Sequence, residues 1–234
     1  MTIEVFAVCF NEVRMIPYFM RHYSKYGAVT IFDNESTDGS AELARSLGAT
    51  VFSFSTNGEF REDILTHLRN DCWKDSKADW VIVCDIDEFV YHRNFLWALN
   101  NAWGTVLMPR MFQMYSTEFP TTKGQLYDEV RKGVEMKSKM CLFKPSQFQQ
   151  MNYEMGCHHA YPEGNFILNV QTEIINLHFK NLSVDYALAR NAELTARQSE
   201  VNRTRGWNWH IEAPEQETRE EFVRVQSKLI DVIW

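Results

Sequence analysis

Short apolar runs alternate with amphipathic segments through the first hundred residues, and this alternation limits the fold more than any other feature of the sequence. The apolar runs predict strands at residues 3–10, 28–32, 50–54 and 80–84. The amphipathic segments predict helices at residues 16–26, 40–47 and 60–75. Strands that are apolar on both faces and joined by helices indicate a mostly parallel sheet covered on both sides. We therefore expect a doubly wound α/β half over residues 1–103.

Residues 104–234 follow a different pattern, with shorter strands, irregular pieces and a high density of aromatic and Met side chains. This pattern predicts a mixed-sheet extension of the first half. Helices are expected at residues 183–200, with Ser183 as the N-cap, and at residues 217–233. No repeat, low-complexity tract or linker divides the sequence, so we expect one domain over residues 1–234.

Composition excludes several classes of protein. The formal net charge of −7 argues against general nucleic-acid binding. No apolar run approaches the roughly 20 residues that span a bilayer, and the N-terminal apolar stretch lacks a preceding basic region. The five cysteines are odd in number and form no C-x-x-C pair, which favours reduced thiols. We expect a cytoplasmic protein without an integral membrane segment or a nucleic-acid partner.

Polar side chains follow three of the predicted strands at the point where each strand ends. Asn11 and Glu12 follow the first strand, Asp33 and Asn34 follow the second, and an acidic run at residues 85–88 follows the fourth. In open α/β sheets, ligands bind outside the carboxyl ends of the strands. These side chains are therefore predicted to converge on one ligand-binding crevice.

Asp85, Ile86 and Asp87 form a D-x-D element directly after a wholly apolar strand. An i, i+2 pair at a strand tip can turn both carboxylates toward a ligand as the chain leaves the sheet. Hard oxygen ligands suit Mg²⁺ or Mn²⁺, and such ions are usually held by one or two carboxylates together with substrate phosphates. This element predicts a metal site that a nucleotide diphosphate completes, with a solvated acidic turn as the alternative.

Three strings resemble those of small family 2-like nucleotide-sugar glycosyltransferases with a GT-A fold: FNE at 10–12, DNESTDGS at 33–40 and DIDEF at 85–89. The resemblance covers about the first hundred residues, and later blocks at 139–145, 156–159 and 177–179 resemble the group less specifically. It implies one GT-A domain. Residues 1–103 would form its nucleotide-sugar-binding half, and residues 104–234 its acceptor-side half with the C-terminal helices.

The resemblance also implies roles for individual residues. Phe10 and Asp33 would border the nucleobase, while Asp85 and Asp87 would hold Mn²⁺ or Mg²⁺ against the diphosphate. His178 would supply a third metal ligand, because GT-A enzymes commonly use a late histidine. Since Asp33 can accept the ring N–H of a uracil-like base, a UDP-sugar is the expected donor. The implied activity is hexosyl or related transfer to a glycan or other hydroxyl acceptor, in glycan biosynthesis.

An inverting transfer needs a carboxylate or histidine to take the proton of the acceptor hydroxyl. The acidic pair of many family 2 enzymes is absent from the second half. Glu154 is the predicted base, because it lies in an aromatic-rich segment, and His158 and His159 are the next candidates. Arg61 and Lys139 are predicted to contact the diphosphate.

Three other functions fit parts of the sequence. A D-x-D phosphatase would use its first aspartate as the nucleophile, but here Glu88 occupies the fourth position and three strands precede the pair. A non-catalytic module that binds a nucleotide sugar or glycan stays open, because no acidic base pair is recognisable. Zinc binding at the Cys157-His158-His159 triplet is disfavoured, because adjacent residues rarely chelate one tetrahedral ion.

Overall fold

The computed structural model describes residues 1–233, and its first third alternates strand and helix as the sequence predicts. The elements, which differ from the predicted ranges by a few residues at their ends, are β1 (Ile3–Cys9), α1 (Ile16–Tyr23), β2 (Ala28–Asp33), α2 (Ser40–Ser46), β3 (Thr50–Ser53), α3 (Glu62–Asp71) and β4 (Trp80–Asp85). Pro17 lies in the first turn of α1, where its missing N–H costs no hydrogen bond.

The rest of the chain contributes shorter strands and five further helices. These elements are β5 (Glu88–Tyr91), α4 (Phe95–Asn101), β6 (Val106–Leu107), β7 (Arg110–Tyr115), α5 (Leu126–Glu129), β8 (Lys132–Met136), β9 (Leu142–Phe143), β10 (Phe148–Gln150), β11 (Glu163–Gly164), β12 (Leu168–Asn169), β13 (Ile175–Asn181), α6 (Val184–Ala196), α7 (Glu200–Arg205), α8 (Glu215–Val225) and β14 (Ile230–Asp231). Single 3₁₀ turns occur at Pro145–Gln147, Met155–Cys157, Trp209–Glu212 and Gln226–Lys228.

The strands form two main sheets. The first has seven strands in the order β12-β6-β9-β4-β1-β2-β3, and its β4-β1-β2-β3 part is parallel. The second has five strands in the order β14-β8-β7-β13-β5, with both parallel and antiparallel pairs. The expected α/β class, with a mostly parallel half and a mixed-sheet extension, is confirmed.

The D-x-D element lies where the chain passes from the first sheet to the second, in the turn between β4 and β5. The backbone N–H of Phe179 in β13 donates to the carbonyl of Asp87 at 2.7 Å. The Tyr23 hydroxyl donates to the carbonyl of Glu88 at 3.0 Å and accepts from the N–H of Val90 at 2.9 Å. These bonds from β13 and α1 fix the acidic turn between the two sheets.

The main hydrophobic core draws on both halves of the chain, from Ile3 to Ile233. At its centre, the ring of Phe89 packs edge-on against Phe179 at 5.1 Å and against Phe19 at 6.1 Å between centroids. All three rings are fully buried. The acidic turn is therefore followed directly by a residue whose ring is packed in a buried aromatic cluster. Among residues 1–233, no helix combines the length and apolar character that crossing a bilayer requires.

One predicted helix, residues 183–200, ends early in the structure. The hydroxyl of Ser183 accepts from the N–H of Tyr186 at 3.1 Å, which confirms the predicted N-cap. The helix then ends at Ala196. The hydroxyl of Ser199 accepts from the N–H of Asn202 at 3.2 Å and caps α7, so the second cap explains the break.

The last predicted helix, residues 217–233, also ends early, at Val225. The chain then forms β14, which pairs antiparallel with β8 at the edge of the second sheet. The Arg131 guanidinium donates to the carbonyl of Ile233 at 2.9 Å. Backbone groups of the β8 edge thus bind a segment whose apolar residues had indicated a continued helix.

Candidate functional site

A cavity of about 220 Å³ opens at the carboxyl ends of β1, β2 and β4. Its floor consists of side chains at or just after those strand ends: Phe10, Glu12, Asn34, Asp85, Ile86 and Asp87. A second wall comes from β13, α6 and the 3₁₀ turn at Trp209–Glu212: His178, Lys180, Arg190, Glu193, Arg197 and His210. The structure therefore brings together Glu12, Asn34 and the D-x-D element as the sequence predicts. Asn11, Asp33 and Glu88 are not among the residues that line the cavity.

Asp85 is held by two cations. The guanidinium of Arg69 lies 2.6 Å from its Oδ1, and the ammonium of Lys139 lies 3.2 Å from its Oδ2. Arg69 also pairs with Glu62 at 3.3 Å, and Lys139 pairs with the buried Glu88. Burial opposes ionisation of Asp85, but Arg69 and Lys139 outweigh it and keep the pKa of Asp85 well below its usual value. Asp85 is thus a fixed anion.

Asp87 is 1% exposed and pairs with cations through one oxygen. Its Oδ2 lies 2.7 Å from Nη1 of Arg190 and 3.3 Å from Nε2 of His178. Arg190 also reaches Oε1 of Glu12 at 2.8 Å, which ties helix α6 to the floor. Burial raises the pKa of Glu12 to about 7, although Arg190 opposes that shift.

Three buried polar atoms at the site have no hydrogen-bond partner: Oδ1 of Asp87, Nδ1 of His178 and Oδ1 of Asp33. Buried polar atoms are nearly always hydrogen-bonded in native proteins, because desolvation without a partner costs free energy. Three such atoms near one cavity indicate that a bound ligand satisfies them.

The donor set suits a divalent ion only in part. Among the described residues, no group of three His, Cys, Asp or Glu side chains is arranged to hold a metal ion. Oδ1 of Asp87 is a hard oxygen donor without a partner, and Asp85 lies two residues away. Mg²⁺ characteristically takes one or two carboxylates and completes its shell with waters and phosphates. The residues fit an ion that arrives with a diphosphate.

The end of β2 offers a polar pocket beside an aromatic ring. Oδ2 of Asp33 accepts from the N–H of Ser36 at 3.2 Å, so this carboxylate caps the following turn with one oxygen and leaves the other without a partner. The guanidinium of Arg197 lies 3.6 Å above the centroid of the Phe10 ring. It also donates to Oδ1 of Asn34 at 3.0 Å. One face of the Phe10 ring therefore packs against the guanidinium of Arg197.

Asn11 holds the backbone instead of lining the cavity. It has a left-handed φ of 49°, which asparagine tolerates better than most residues. Its N–H donates to the hydroxyl of Ser36 at 2.9 Å, and its Oδ1 accepts from the N–H of Thr37 at 2.9 Å. The nearby N–H of Glu12 donates to the hydroxyl of Ser40 at 2.7 Å. The DNESTDGS string thus folds into a turn clamped to the end of β1.

Arg61 does not reach the cavity. It pairs with Asp63 at 2.7 Å and with Glu59 at 3.7 Å near the start of α3. The cation that α3 supplies is Arg69, because residues 62, 65 and 69 form the buried face of this helix. The sequence signal that could have identified Arg69 is its position on the apolar face of the predicted third helix. Lys139, in contrast, lies at the floor as predicted.

The three predicted acid–base candidates occupy different surroundings. His158 lines the cavity, and burial together with Lys139 lowers its pKa to about 4. Glu154 and His159 are exposed and are not among the residues that line the cavity. Their roles in proton transfer stay predictions, and the cavity geometry favours other groups.

Helix α6 contributes site residues that the sequence analysis missed. Arg190, Glu193 and Arg197 are spaced three and four residues apart and share the helix face that lines the cavity. Lys180 and His210 also line it. Burial and the nearby Arg190 lower the pKa of Lys180 to about 8. A charged stripe on α6 was the only sequence signal, and solvated helix faces carry the same pattern.

No protein-family model and no curated protein matches the sequence. Solved structures similar to it include glucosyl-3-phosphoglycerate synthase from Mycobacterium tuberculosis in complex with Mn²⁺, uridine diphosphate and glucosyl-3-phosphoglycerate. It matches at 19% identity and a TM-score of 0.35, over 48% of this chain and 44% of that one. Mannosyl-3-phosphoglycerate synthase from Rubrobacter xylanophilus matches at 14% identity and a TM-score of 0.36, over 52% of this chain and 43% of that one. The matched region spans less than half of each neighbour's length.

Proposed function

We propose that this chain is a glycosyltransferase that moves a sugar from a nucleotide-diphospho-sugar, with a UDP-sugar as the expected donor, to a hydroxyl acceptor. One observation carries the proposal. The D-x-D turn faces the cavity with a buried Asp87 carboxylate that has one oxygen in ion pairs and the other without a partner. Such an oxygen is the group that a metal-bound diphosphate would engage.

Asp87 and Asp85 would hold Mn²⁺ or Mg²⁺ in this proposal, with His178 against Asp87 as the predicted third ligand. A bound divalent ion would supply Lewis-acid stabilisation of the departing diphosphate. The chain adds fixed positive charge of its own, because Arg69, Lys139 and Arg190 surround the acidic turn. Preorganised charge of this kind stabilises a developing anion more strongly than mobile water does.

The nucleobase would bind at the end of β2. Oδ1 of Asp33 is buried without a partner and would accept the ring N–H of a uracil-like base. The base would stack beside Phe10, where Arg197 already lies against the ring. Exchange of Asp33 for Asn would keep its shape, remove the charge, and weaken binding of UDP relative to inorganic diphosphate.

For the base of an inverting transfer we propose Glu193. Five acidic side chains line the cavity, and four of them are ion-paired. Glu193 is exposed, as Glu154 is, but it lines the cavity and has no cation or hydrogen-bond partner among residues 1–233, so its carboxylate is available for the acceptor hydroxyl. Glu193→Gln should lower turnover by on the order of 10²- to 10⁴-fold with donor binding preserved. Glu154→Gln is the matched variant outside the cavity. An equal loss of turnover in that variant would identify Glu154 as the base, as the sequence predicts.

A phosphatase is disfavoured because Glu88 occupies the fourth position of the motif and three strands precede the aspartate pair. A non-catalytic nucleotide-sugar module stays the second candidate, because an unpaired carboxylate alone does not establish turnover.

A cytoplasmic location likewise stays a prediction, consistent with five cysteines that form no disulfide.

The test is release of UDP from UDP-glucose, UDP-galactose and UDP-N-acetylglucosamine with Mn²⁺, first without an acceptor and then with a panel of hydroxyl compounds. We expect release from at least one donor, and a loss of at least about 10²-fold in Asp87→Asn. Asp63→Asn, which changes an aspartate in a surface ion pair, should leave the rate unchanged. Binding without release would favour the non-catalytic module, and phosphate release from p-nitrophenyl phosphate would favour the phosphatase.

A further inference from the structure

The cavity contains one cation that the rest of the site does not use. Five Lys or Arg side chains line it, and four of these form ion pairs: Arg69, Lys139, Arg190 and Arg197. The fifth is Lys180. Its ammonium makes no salt bridge or hydrogen bond with any of residues 1–233, although its side chain is half-buried. Lysine heads usually extend into water or pair with an acid, so this position requires an explanation.

The negative charges of Asp87 and Glu221 favour the charged form of Lys180, but neither carboxylate contacts its ammonium, and both have other partners. Oδ2 of Asp87 pairs with Arg190. Oε1 of Glu221 accepts from the hydroxyl of Tyr115 at 2.6 Å. Lys180 is therefore a cation inside a cavity whose counterion is not supplied by the described part of the chain.

A second side chain with nitrogen donors, His210 in the 3₁₀ turn Trp209–Glu212, lines the same cavity. Its side chain is exposed and makes no hydrogen bond within residues 1–233. Lys180 lies on β13, two residues after His178, so both side chains leave the strand on one face. The Lys180–His210 pair thus adjoins the acidic turn from the side of the second wall.

We propose that Lys180 and His210 form a subsite for an anionic group, a phosphate or a carboxylate, carried by the acceptor. This inference rests on the proposed function and names the class of its acceptor. Successive residues of a strand rise about 3.3 Å, so Lys180 stands roughly 7 Å along β13 from His178. That separation suits an acceptor whose hydroxyl reaches the sugar while its anion lies farther along the wall.

The donor diphosphate is the other source of such an anion. It is disfavoured because the acidic turn that would hold the diphosphate already has three cations of its own, Arg69, Lys139 and Arg190, whereas Lys180 makes no ion pair with that turn. The experiment separates the two sources by filling the donor position first.

Calorimetry would compare glycerol 3-phosphate with glycerol, which has the same carbon chain without the anion, on protein saturated with UDP and Mn²⁺. We expect glycerol 3-phosphate to bind and glycerol not to bind. Lys180→Met should weaken glycerol 3-phosphate by about tenfold or more, while Lys180→Arg keeps most of the affinity. UDP affinity should be equal in all three proteins. Lys123→Met, outside the cavity, is the matched control.

Three results would overturn the inference. They are no binding of glycerol 3-phosphate at tens of millimolar, equal binding by wild-type and Lys180→Met, or a loss of UDP affinity in Lys180→Met with glycerol 3-phosphate unaffected. The last result would assign Lys180 to the donor. Inorganic phosphate, titrated without nucleotide, separates the two levels of the proposal. If phosphate binding depends on Lys180 while no UDP-sugar is turned over, the anion subsite stands and the proposed function fails.

Discussion

The two sides of the cavity handle charge in opposite ways. At the floor, Asp85 and Asp87 are buried against arginine and lysine, and these pairs connect α3, α6 and the turn between the two sheets. On the second wall, Arg190 and Arg197 are paired, but Lys180 and Glu193 have no partner among residues 1–233. Paired charge fixes the geometry of the floor, and unpaired charge is left for molecules that enter. Fold stability and ligand selectivity should therefore respond to different substitutions.

The largest effect on stability should come from breaking the floor. Arg69→Met leaves Glu62 without its cation and Asp85 with only Lys139. Removing one partner from a buried ion pair typically costs about 3–5 kcal/mol, because the remaining charge stays desolvated. Urea denaturation would measure the change in the free energy of unfolding.

Arg61→Met is the matched control, because it removes an arginine at the other end of α3 and breaks only surface pairs with Asp63 and Glu59. It should cost less than about 1 kcal/mol. Equal losses in the two variants would show that the floor is not the stabilising side of the comparison.

Acid should weaken the core beneath the floor. His22 is fully buried, its Nε2 lies 3.0 Å from the carbonyl of Val90, and burial lowers its pKa to about 3. A histidine whose folded-state pKa lies below its unfolded value stabilises the fold fully above about pH 6.5 and loses that contribution as pH falls toward 3. We expect a loss of roughly 3 kcal/mol between pH 7 and pH 4 from this group.

The measurement is denaturant unfolding at a series of pH values, with His22→Gln as the comparison. The variant is less stable at pH 7, but its free energy of unfolding should fall less steeply between pH 6.5 and pH 4. Parallel pH profiles for the two proteins would exclude His22 as the source of acid sensitivity.

His178 belongs to the second wall but contacts Asp87 at the floor, at 3.3 Å, so its substitution tests the connection between the two sides. His178→Ala should weaken Mn²⁺-dependent binding of UDP by about tenfold, or roughly 1–2 kcal/mol. The thermal midpoint should change little, since the ring makes one side-chain contact. A large loss of stability with unchanged metal dependence would instead identify a structural histidine.

The smallest effect on stability should follow from Lys180→Met on the second wall. The substitution removes a half-buried charge that has no partner, so the free energy of unfolding should stay within about 1 kcal/mol of wild-type or increase. Urea denaturation of this variant beside Arg69→Met gives the contrast directly. A loss as large as that of Arg69→Met would mean that Lys180 is part of the paired framework.

Local sequence patterns predict the framework well but not its ion pairs. Strands β1 to β4 and their helices follow from apolar runs and helical periodicity, which depend on neighbouring residues. Two-residue strands such as β9 and β14 are too short to carry a period and form only because another strand edge is present. Helix α8 was predicted too long for the same reason.

The candidate site likewise contains residues that local sequence patterns predict and residues that they do not. Phe10, Asp33, Asp85 and Asp87 follow strand ends, so the fold class alone predicts that they meet. Arg190 pairs with Asp87 across 103 positions of the chain, and no local pattern encodes that distance. The aromatic neighbours of Glu154 predict it as the base, but this residue is not among those that line the cavity.

The most direct test of the account is calorimetric titration of UDP into the wild-type protein, with Mn²⁺ and then with EDTA. The carboxylates of Asp87 and Asp85 would repel the diphosphate unless a divalent ion is bound. We expect chelation to weaken UDP binding by about tenfold or more, and Asp87→Asn to lose most of the Mn²⁺-dependent gain. Equal affinity for UDP in Mn²⁺ and in EDTA would contradict the assignment of the acidic turn as a metal-assisted diphosphate site.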